Sequence, residues 1–194
     1  MTLFDLLFLF LALVTLIILL AVLVTALRGR GAQALRMLRN LGIGAAVYLA
    51  VVAVVGLLSP QRVLQVGDPW CFDDWCLTVE KVSHAAAPPQ VAYTVSLRIF
   101  SEAKRVSQRA LGAWIYIVDR EGNRYPPEPD PSATPLDVRL GPGDSVTTTR
   151  TFKVPAGATG LGLITGHGGS PDLSKFVIAD EGSLLHKPTY VRLD

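Results

Sequence analysis

The chain has 194 residues, half of them hydrophobic, and its 18 basic and 16 acidic residues leave a net charge of +2. Four arginines lie within residues 28–40, whereas the acidic residues, apart from Asp5, all follow Pro60. The chain after Pro60 is therefore close to neutral. This argues against nucleic acid as a partner, because nucleic-acid binding requires a concentrated basic face.

Two apolar runs near the N-terminus predict a transmembrane hairpin. Leu6–Leu27 and Leu41–Leu58 contain no charged residue, and about 20 apolar residues in a helix cross the roughly 30 Å hydrocarbon core of a bilayer. We expect helices at about 4–27 and 41–58, joined by a linker at 28–40. The linker arginines are Arg28, Arg30, Arg36 and Arg39. Short arginine-rich loops stay in the cytoplasm, so the N-terminus and the C-terminal domain are predicted to lie outside it.

A cleaved signal peptide is the alternative to a retained first helix. Such peptides have a basic start and an apolar stretch of only about 7–15 residues. The residues before Leu6 include no basic side chain, and the apolar run is longer than that. We therefore expect a multi-pass protein of the cell (inner) membrane whose first helix is retained.

Small residues recur every four positions on the second apolar run, at Gly42, Ala46 and Ala50. This spacing allows two membrane helices to approach closely. The partner could be the first helix of the same chain or a helix of another subunit. Neither run contains Asp, Glu, Lys, Arg or His, which argues against ion transport by this chain alone.

After Pro60 the sequence changes to short segments with alternating apolar residues, separated by glycine and proline. The predicted strands are Leu77–Val82, Val91–Ile99, Ala113–Asp119, Ser145–Val154, Gly160–Thr165, Lys175–Ala179 and Thr189–Leu193. Short strands with closely spaced turns are typical of a β-sandwich. We expect a membrane hairpin at 1–59 followed by one extracytoplasmic β-sandwich domain at 60–194.

Cys71 and Cys76 are the two cysteines of the chain. In an oxidising compartment they are expected to form a structural disulfide that closes a hairpin turn. Free thiols, a redox pair and a metal site are the alternatives, but the spacing is not C-x-x-C and no second ligand pair follows. Nearby Trp70 and Trp75 could pack in the core or lie at the membrane interface.

Several of these segments together carry a family resemblance. The segments are Gly67-Asp-Pro-Trp-Cys71-Phe-Asp-Asp-Trp-Cys76, the strand near Tyr93, Asp119-Arg-Glu-Gly-Asn-Arg-Tyr125, Gly141-Pro-Gly-Asp-Ser-Val146 and Phe152-Lys-Val-Pro155. Over about residues 65–155 the chain resembles a bacterial family of immunoglobulin-like extracytoplasmic domains of unknown function. The resemblance implies an all-β immunoglobulin-like sandwich behind the two-helix transmembrane hairpin, and it implies no catalytic residue.

Other polar groups have weaker functional interpretations. Asp73 with Asp74, and Asp119 with Glu121 and Asn123, could offer oxygens to Ca²⁺, but a solvated turn and a hairpin turn are the favoured interpretations. The three histidines are His84, His167 and His186. They are far apart in sequence, and the chain has no G-x-S-x-G nucleophile motif. We therefore predict no catalytic residue, no cofactor and no metal site.

These expectations lead to three functional hypotheses. The first is a membrane-anchored extracytoplasmic binding or assembly module without catalytic activity, whose partners are the lipid bilayer and another envelope or membrane protein. The second is a small accessory subunit of a larger membrane complex, which it contacts through the face of Gly42, Ala46 and Ala50. The third is an envelope hydrolase, which requires His167, His186 and a carboxylate to converge. No small-molecule ligand can be identified from the sequence.

Overall fold

The computed structural model of the protein describes residues 3–168 and 173–193. The chain divides into two compact units. One consists of Met1–Gln61 and Asp172–Pro188, and the other of Arg62–Pro171 and Thr189–Asp194. Residues 173–188, which fall inside the predicted domain 60–194, therefore group with the helices rather than with the sheets.

The first unit is built on two apolar helices, α1 (Leu3–Leu27) and α2 (Gly31–Leu58). A turn at Arg28–Arg30 joins them, and Gly29 adopts the positive φ of 75° that this turn requires. The second helix begins well before the apolar run, because residues 32–39 are mostly good helix formers and charge alone does not end a helix. Two of the four linker arginines therefore lie on α2.

The second unit contains nine strands in the part of the chain that the structure describes. They are β1 (Val63–Leu64), β2 (Pro69–Phe72), β3 (Trp75–Ala87), β4 (Gln90–Ser101), β5 (Trp114–Val118), β6 (Arg124–Tyr125), β7 (Ser145–Pro155), β8 (Gly162–Gly166) and β9 (Tyr190–Arg192). One sheet has the order β2-β3-β4-β7 and the other the order β1-β9-β8-β5-β6. All pairs are antiparallel except β1 with β9.

The two sheets share one hydrophobic core, so this unit is a β-sandwich. Period-two alternation sends every second side chain inward. The fully buried side chains of this core include Leu77, Val79, Val95, Leu97, Ile99, Ile117, Phe152, Val154, Leu163 and Val191. They come from both sheets, which confirms the predicted sandwich.

Most of the predicted strands are confirmed, but the strand expected at Lys175–Ala179 is wrong. Leu173–Phe176 forms a short 3₁₀ helix instead. The Val177 amide bonds locally to the carbonyl of Ser174, and the Val177 side chain is buried in the helical unit. A three-residue apolar run cannot distinguish a strand from a segment that packs on a helix.

Candidate functional site

The predicted disulfide between Cys71 and Cys76 is present, with a Cα–Cα distance of 4.0 Å. The two cysteines face each other in the register of β2 and β3. Asp73 lies in the exposed turn between these strands with a positive φ of 52°. The amide of Glu102 donates to the carbonyl of Asp74 and holds the turn against the start of the next loop. The disulfide thus fixes the hairpin at the start of the sandwich.

Aromatic side chains surround this hairpin. Trp70 and Trp75 are each only 2% exposed, which places them in the core rather than at a membrane surface. Phe72 contacts both indoles and also meets the ring of His167 edge to face at 4.5 Å. The indole N–H of Trp75 is buried without an acceptor among the described residues. The cluster therefore belongs to the packing of the sandwich.

Cys71 and Cys76 also form, with Glu102, the group of potential metal ligands that comes together in the described part of the chain. Both sulfur atoms are already joined to each other. A disulfide sulfur has no thiolate to offer a metal ion. This group is therefore not a metal site in the oxidised protein.

The turn between β5 and β6 is organised by the carboxylate of Asp119. This carboxylate accepts hydrogen bonds from the amides of Glu121 and Asn123, from the Asn123 side chain at 2.9 Å and from the Tyr125 hydroxyl at 2.7 Å. These bonds, led by the one from the Asn123 side chain, hold the pKa of Asp119 below its ordinary value although burial acts in the opposite direction. The bond to Asp119 raises the pKa of Tyr125. Asp119, Glu121 and Asn123, considered above as oxygen donors to Ca²⁺, thus form a hairpin turn.

This turn borders a small cavity of about 210 Å³ beside Pro155 and Thr159. Because four donors already occupy the carboxylate oxygens of Asp119, little capacity remains there for a ligand. The geometry assigns Asp119 a structural function.

The three histidines lie in separate surroundings. His84 is exposed on β3 beside the ring of Tyr93. His167 belongs to the sheet unit, and half-buried His186 belongs to the helical unit. The hydrolase hypothesis requires His167 and His186 to converge, and these two residues belong to different units.

The predicted helix-packing residues Gly42, Ala46 and Ala50 are all exposed on α2. A Cβ atom built on Gly42 would meet no atom within 4 Å. The four topology arginines are exposed as well, two in the turn and two on α2: Arg28, Arg30, Arg36 and Arg39. The small-residue face is thus open to another chain or to lipid.

Sequence reasoning missed a contact within the helical unit. The Tyr48 hydroxyl donates to the carbonyl of Phe176 at 2.6 Å, and Gly56 lies against the backbone of Leu184 and His186. Residues 173–186 therefore pack along α2, beside an apolar groove of about 1070 Å³. The only sequence signals of this contact were a lone tyrosine within the apolar run, Tyr48, and a glycine near the end of that run, Gly56.

No protein-family model matches the chain, and no curated protein sequence matches it. Among solved structures, the yjhA protein from Bacillus subtilis is similar, with 14% identity over 68% of this chain and 99% of its own length and a TM-score of 0.43. An uncharacterised β-sandwich protein from Clostridium difficile has 10% identity over 70% of this chain and 97% of its own length, with a TM-score of 0.41.

The secreted protein MPT63 from Mycobacterium tuberculosis is also similar, with 12% identity over 59% of this chain and 94% of its own length and a TM-score of 0.42. Of these three structures, one is described as a secreted protein and one as an uncharacterised β-sandwich protein. At such identities and scores the similarity assigns no function to this chain.

Proposed function

We propose that the protein is a membrane-anchored extracytoplasmic binding or assembly module without catalytic activity. One observation carries the proposal: the two N-terminal helices display their apolar side chains instead of burying them. The most apolar windows of α1 and α2 have mean hydropathies of 3.4 and 2.5, and only 0% and 11% of their residues are buried within the chain. An apolar surface of this size needs lipid or protein to cover it.

The arginines determine the proposed orientation. With the turn at Arg28–Arg30 in the cytoplasm, both the N-terminus and the sandwich lie outside the inner membrane. The Cys71–Cys76 disulfide supports this orientation, because such bonds persist in oxidising compartments.

Strand order supports an immunoglobulin-like classification. Strands β3, β4 and β7 form one sheet, while β9, β8, β5 and β6 are neighbours in the other. This corresponds to the A-B-E and G-F-C-C′ arrangement of immunoglobulin-like sandwiches. The disulfide differs from that of antibody domains, because it closes a hairpin instead of joining the sheets.

Thiol labelling tests the membrane arrangement. Cells expressing the chain are treated with a reductant and then with a membrane-impermeant maleimide, and the labelled mass is determined. Cys71 and Cys76 should react in intact cells, and the full-length chain should remain in the membrane after an alkaline wash. Labelling only in opened cells would reverse the orientation, and loss of α1 from the mature chain would identify it as a signal peptide.

The binding role is tested by measuring the mass of the protein in its native assembly. The chain is extracted in mild detergent at its natural abundance and its mass is measured by light scattering. A mass above that of one chain supports assembly, whereas a strictly solitary chain contradicts it.

An accessory subunit of a larger membrane complex is a second candidate, and the packing of residues 173–186 on α2 favours it. Tyr48 lies within the apolar run Leu41–Leu58, and its hydroxyl binds the carbonyl of Phe176. If α2 crosses the bilayer, this irregular segment lies at membrane depth. Irregular backbone is tolerated there only where protein or a water-filled cavity covers it. A partner protein is the cover that this candidate supplies.

Photo-crosslinking distinguishes a protein cover from a lipid cover. Phe176 is 42% exposed, so benzoylphenylalanine at this position should react with whatever lies beside it. A protein adduct supports the subunit hypothesis, and adducts with lipid alone contradict it. In the same cells Ala46→Leu should release the partner, whereas Val51→Leu, on another side of α2, should not.

A further inference from the structure

The sandwich protects most of its sheet edges. At β7, the Glu128 amide donates to the carbonyl of Thr151 at 2.8 Å, and Pro127 forms a bridge with Phe152. At the two ends of the other sheet, β1 and β6 are only two residues long. Short or covered edges prevent unwanted pairing with other strands.

The outer edge of β3 is different. Strand β2 pairs only with Trp75–Thr78, and the Gly67 amide donates to the carbonyl of Val79. From Lys81 to Ala87 no described backbone group pairs with this edge from outside the hairpin. Residues 83–86 are all exposed. Seven residues of strand therefore end the sheet without a neighbour.

The loop at the tip of the hairpin determines which groups point outward. Ala87 and Gln90 are partners across Pro88-Pro89, and prolines have no N–H. If Ala87 and Gln90 were a non-hydrogen-bonded pair, the next pair would have to bond through the missing proline N–H. Ala87 and Gln90 are therefore a hydrogen-bonded pair. Hydrogen-bonded and non-hydrogen-bonded pairs alternate along an antiparallel ladder, and the register is regular back to Lys81.

It follows that the N–H and C=O groups of Ala86, His84 and Val82 point away from β4. These three residues offer a row of donors and acceptors at the spacing of a β-strand. An edge of this kind accepts an additional strand through main-chain hydrogen bonds.

The edge is complementary to itself. In an antiparallel pair centred on His84, Val82 lies opposite Ala86 of the second copy, and Lys81 lies opposite Ala87. Lys81 is the only Lys, Arg, Asp or Glu in this run, so no two such side chains of like charge lie opposite each other. The small side chains at 83 and 85–87 leave the backbone accessible. A two-fold axis through His84 uses the whole free run between the bulge at Val79/Lys81 and Pro88.

We propose that this edge pairs with the same edge of a second copy of the chain, so that the two sheets join into one. The pairing deepens the proposed assembly role and rests on it, because the seven-residue contact is smaller than the interface of a stable soluble dimer. Two chains held in one membrane meet at a much higher effective concentration, which compensates for a small contact.

Cysteine cross-linking in the full-length chain tests the pairing. His84→Cys is introduced, the protein is reconstituted into liposomes, and mild oxidation is followed by non-reducing electrophoresis. Cα atoms of a hydrogen-bonded pair lie about 5.5 Å apart, within the range of a disulfide. Thr149→Cys, which is exposed on β7, is the control for random collision.

A second variant removes the pairing but not the fold. Ala86→Pro in the His84→Cys background removes an outward N–H that makes no bond to the described residues, whereas Ala86→Thr keeps it. We expect at least a tenfold higher dimer yield from His84→Cys than from Thr149→Cys, abolished by Ala86→Pro and retained with Ala86→Thr.

Equal yields from the His84→Cys and Thr149→Cys proteins would overturn the proposal, and so would a yield unaffected by Ala86→Pro in a protein with unchanged circular dichroism. When the His84→Cys chain is oxidised in intact cells instead, a disulfide from position 84 to another protein in place of the dimer would overturn the self-pairing and assign the edge to a different partner. If the cross-link fails while maleimide still labels the reduced Cys71 from outside, only the self-pairing is wrong and the anchored module stands.

Discussion

Gly56 is where the packing of residues 173–186 on α2 can be tested with one methyl group. A Cβ atom at this position would penetrate the carbonyl oxygen of Leu184 and lie 3.1 Å from the amide nitrogen of His186. Non-bonded heavy atoms prefer separations of about 3.5–4.0 Å. Gly56→Ala therefore requires the backbone at Leu184 to move away from the helix by an amount of the order of 1 Å.

The size of the effect follows from two opposing contributions. Forcing an extra methyl group into a packed contact costs about 1–3 kcal/mol, whereas alanine improves an exposed helix position by about 1 kcal/mol relative to glycine. Gly44→Ala is the matched control, because a Cβ there meets nothing within 4 Å. The helix gain is common to both variants, so the difference between them reports the contact.

Limited trypsin digestion of the detergent-solubilised full-length chain measures this difference. Lys175 lies in the 3₁₀ helix of the packed segment, and cleavage after it requires local opening. A loss of about 1–3 kcal/mol should raise the cleavage rate of Gly56→Ala about 5- to 150-fold over that of Gly44→Ala. Equal rates after Lys175 in the two variants and the wild type would refute the packing of this segment on α2.

Three further predictions concern the sandwich. Phe152→Ala should lower the free energy of unfolding by about 3–5 kcal/mol in denaturant titrations, because the side chain is fully buried, whereas Thr149→Ala on the exposed face should change it by less than about 0.5 kcal/mol. Replacing Cys71 and Cys76 by serine should cost about 2 kcal/mol in the same titration, since the closed loop is short; an unchanged midpoint would contradict this. The lowered pKa of Asp119 means that its stabilisation is complete above the ordinary value of 3.8 and is lost as the pH falls from there through the lowered pKa. Thermal unfolding between about pH 5 and pH 2 should therefore show a smaller pH dependence for Asp119→Asn than for the wild type.

The strands with a buried face could be predicted because burial imposes a period of two. Val91–Ile99 and Ser145–Val154 alternate, and the structure places them in β4 and β7. The hairpin turn at Asp119 was predictable from Gly122, which adopts a φ of 86°. In each case the signal is local, since it depends on residues within one turn or strand.

The contact between residues 173–186 and α2 could not be predicted in the same way. It joins residues 128 positions apart, Tyr48 and Phe176, and no local rule relates them. The apolar run at Phe176 has the composition of a strand, and only the neighbouring helix decides otherwise. Pairing order in the sheets is equally non-local, which is why strands could be expected individually but not their neighbours.

The second half of β3, from Ser83 to Ala87, is a strand that neither a local pattern nor a buried face predicts. Beyond Val82 its side chains do not alternate between core and solvent, because this half of β3 lies at the open edge of its sheet and residues 83–86 are exposed on both faces. These residues are extended because β4 pairs with them, and not because of a buried face. A strand segment whose side chains are exposed on both faces buries little apolar surface in the core of its own domain. This exposed half of β3 is therefore the part of the hairpin that the proposed pairing with a second copy would cover.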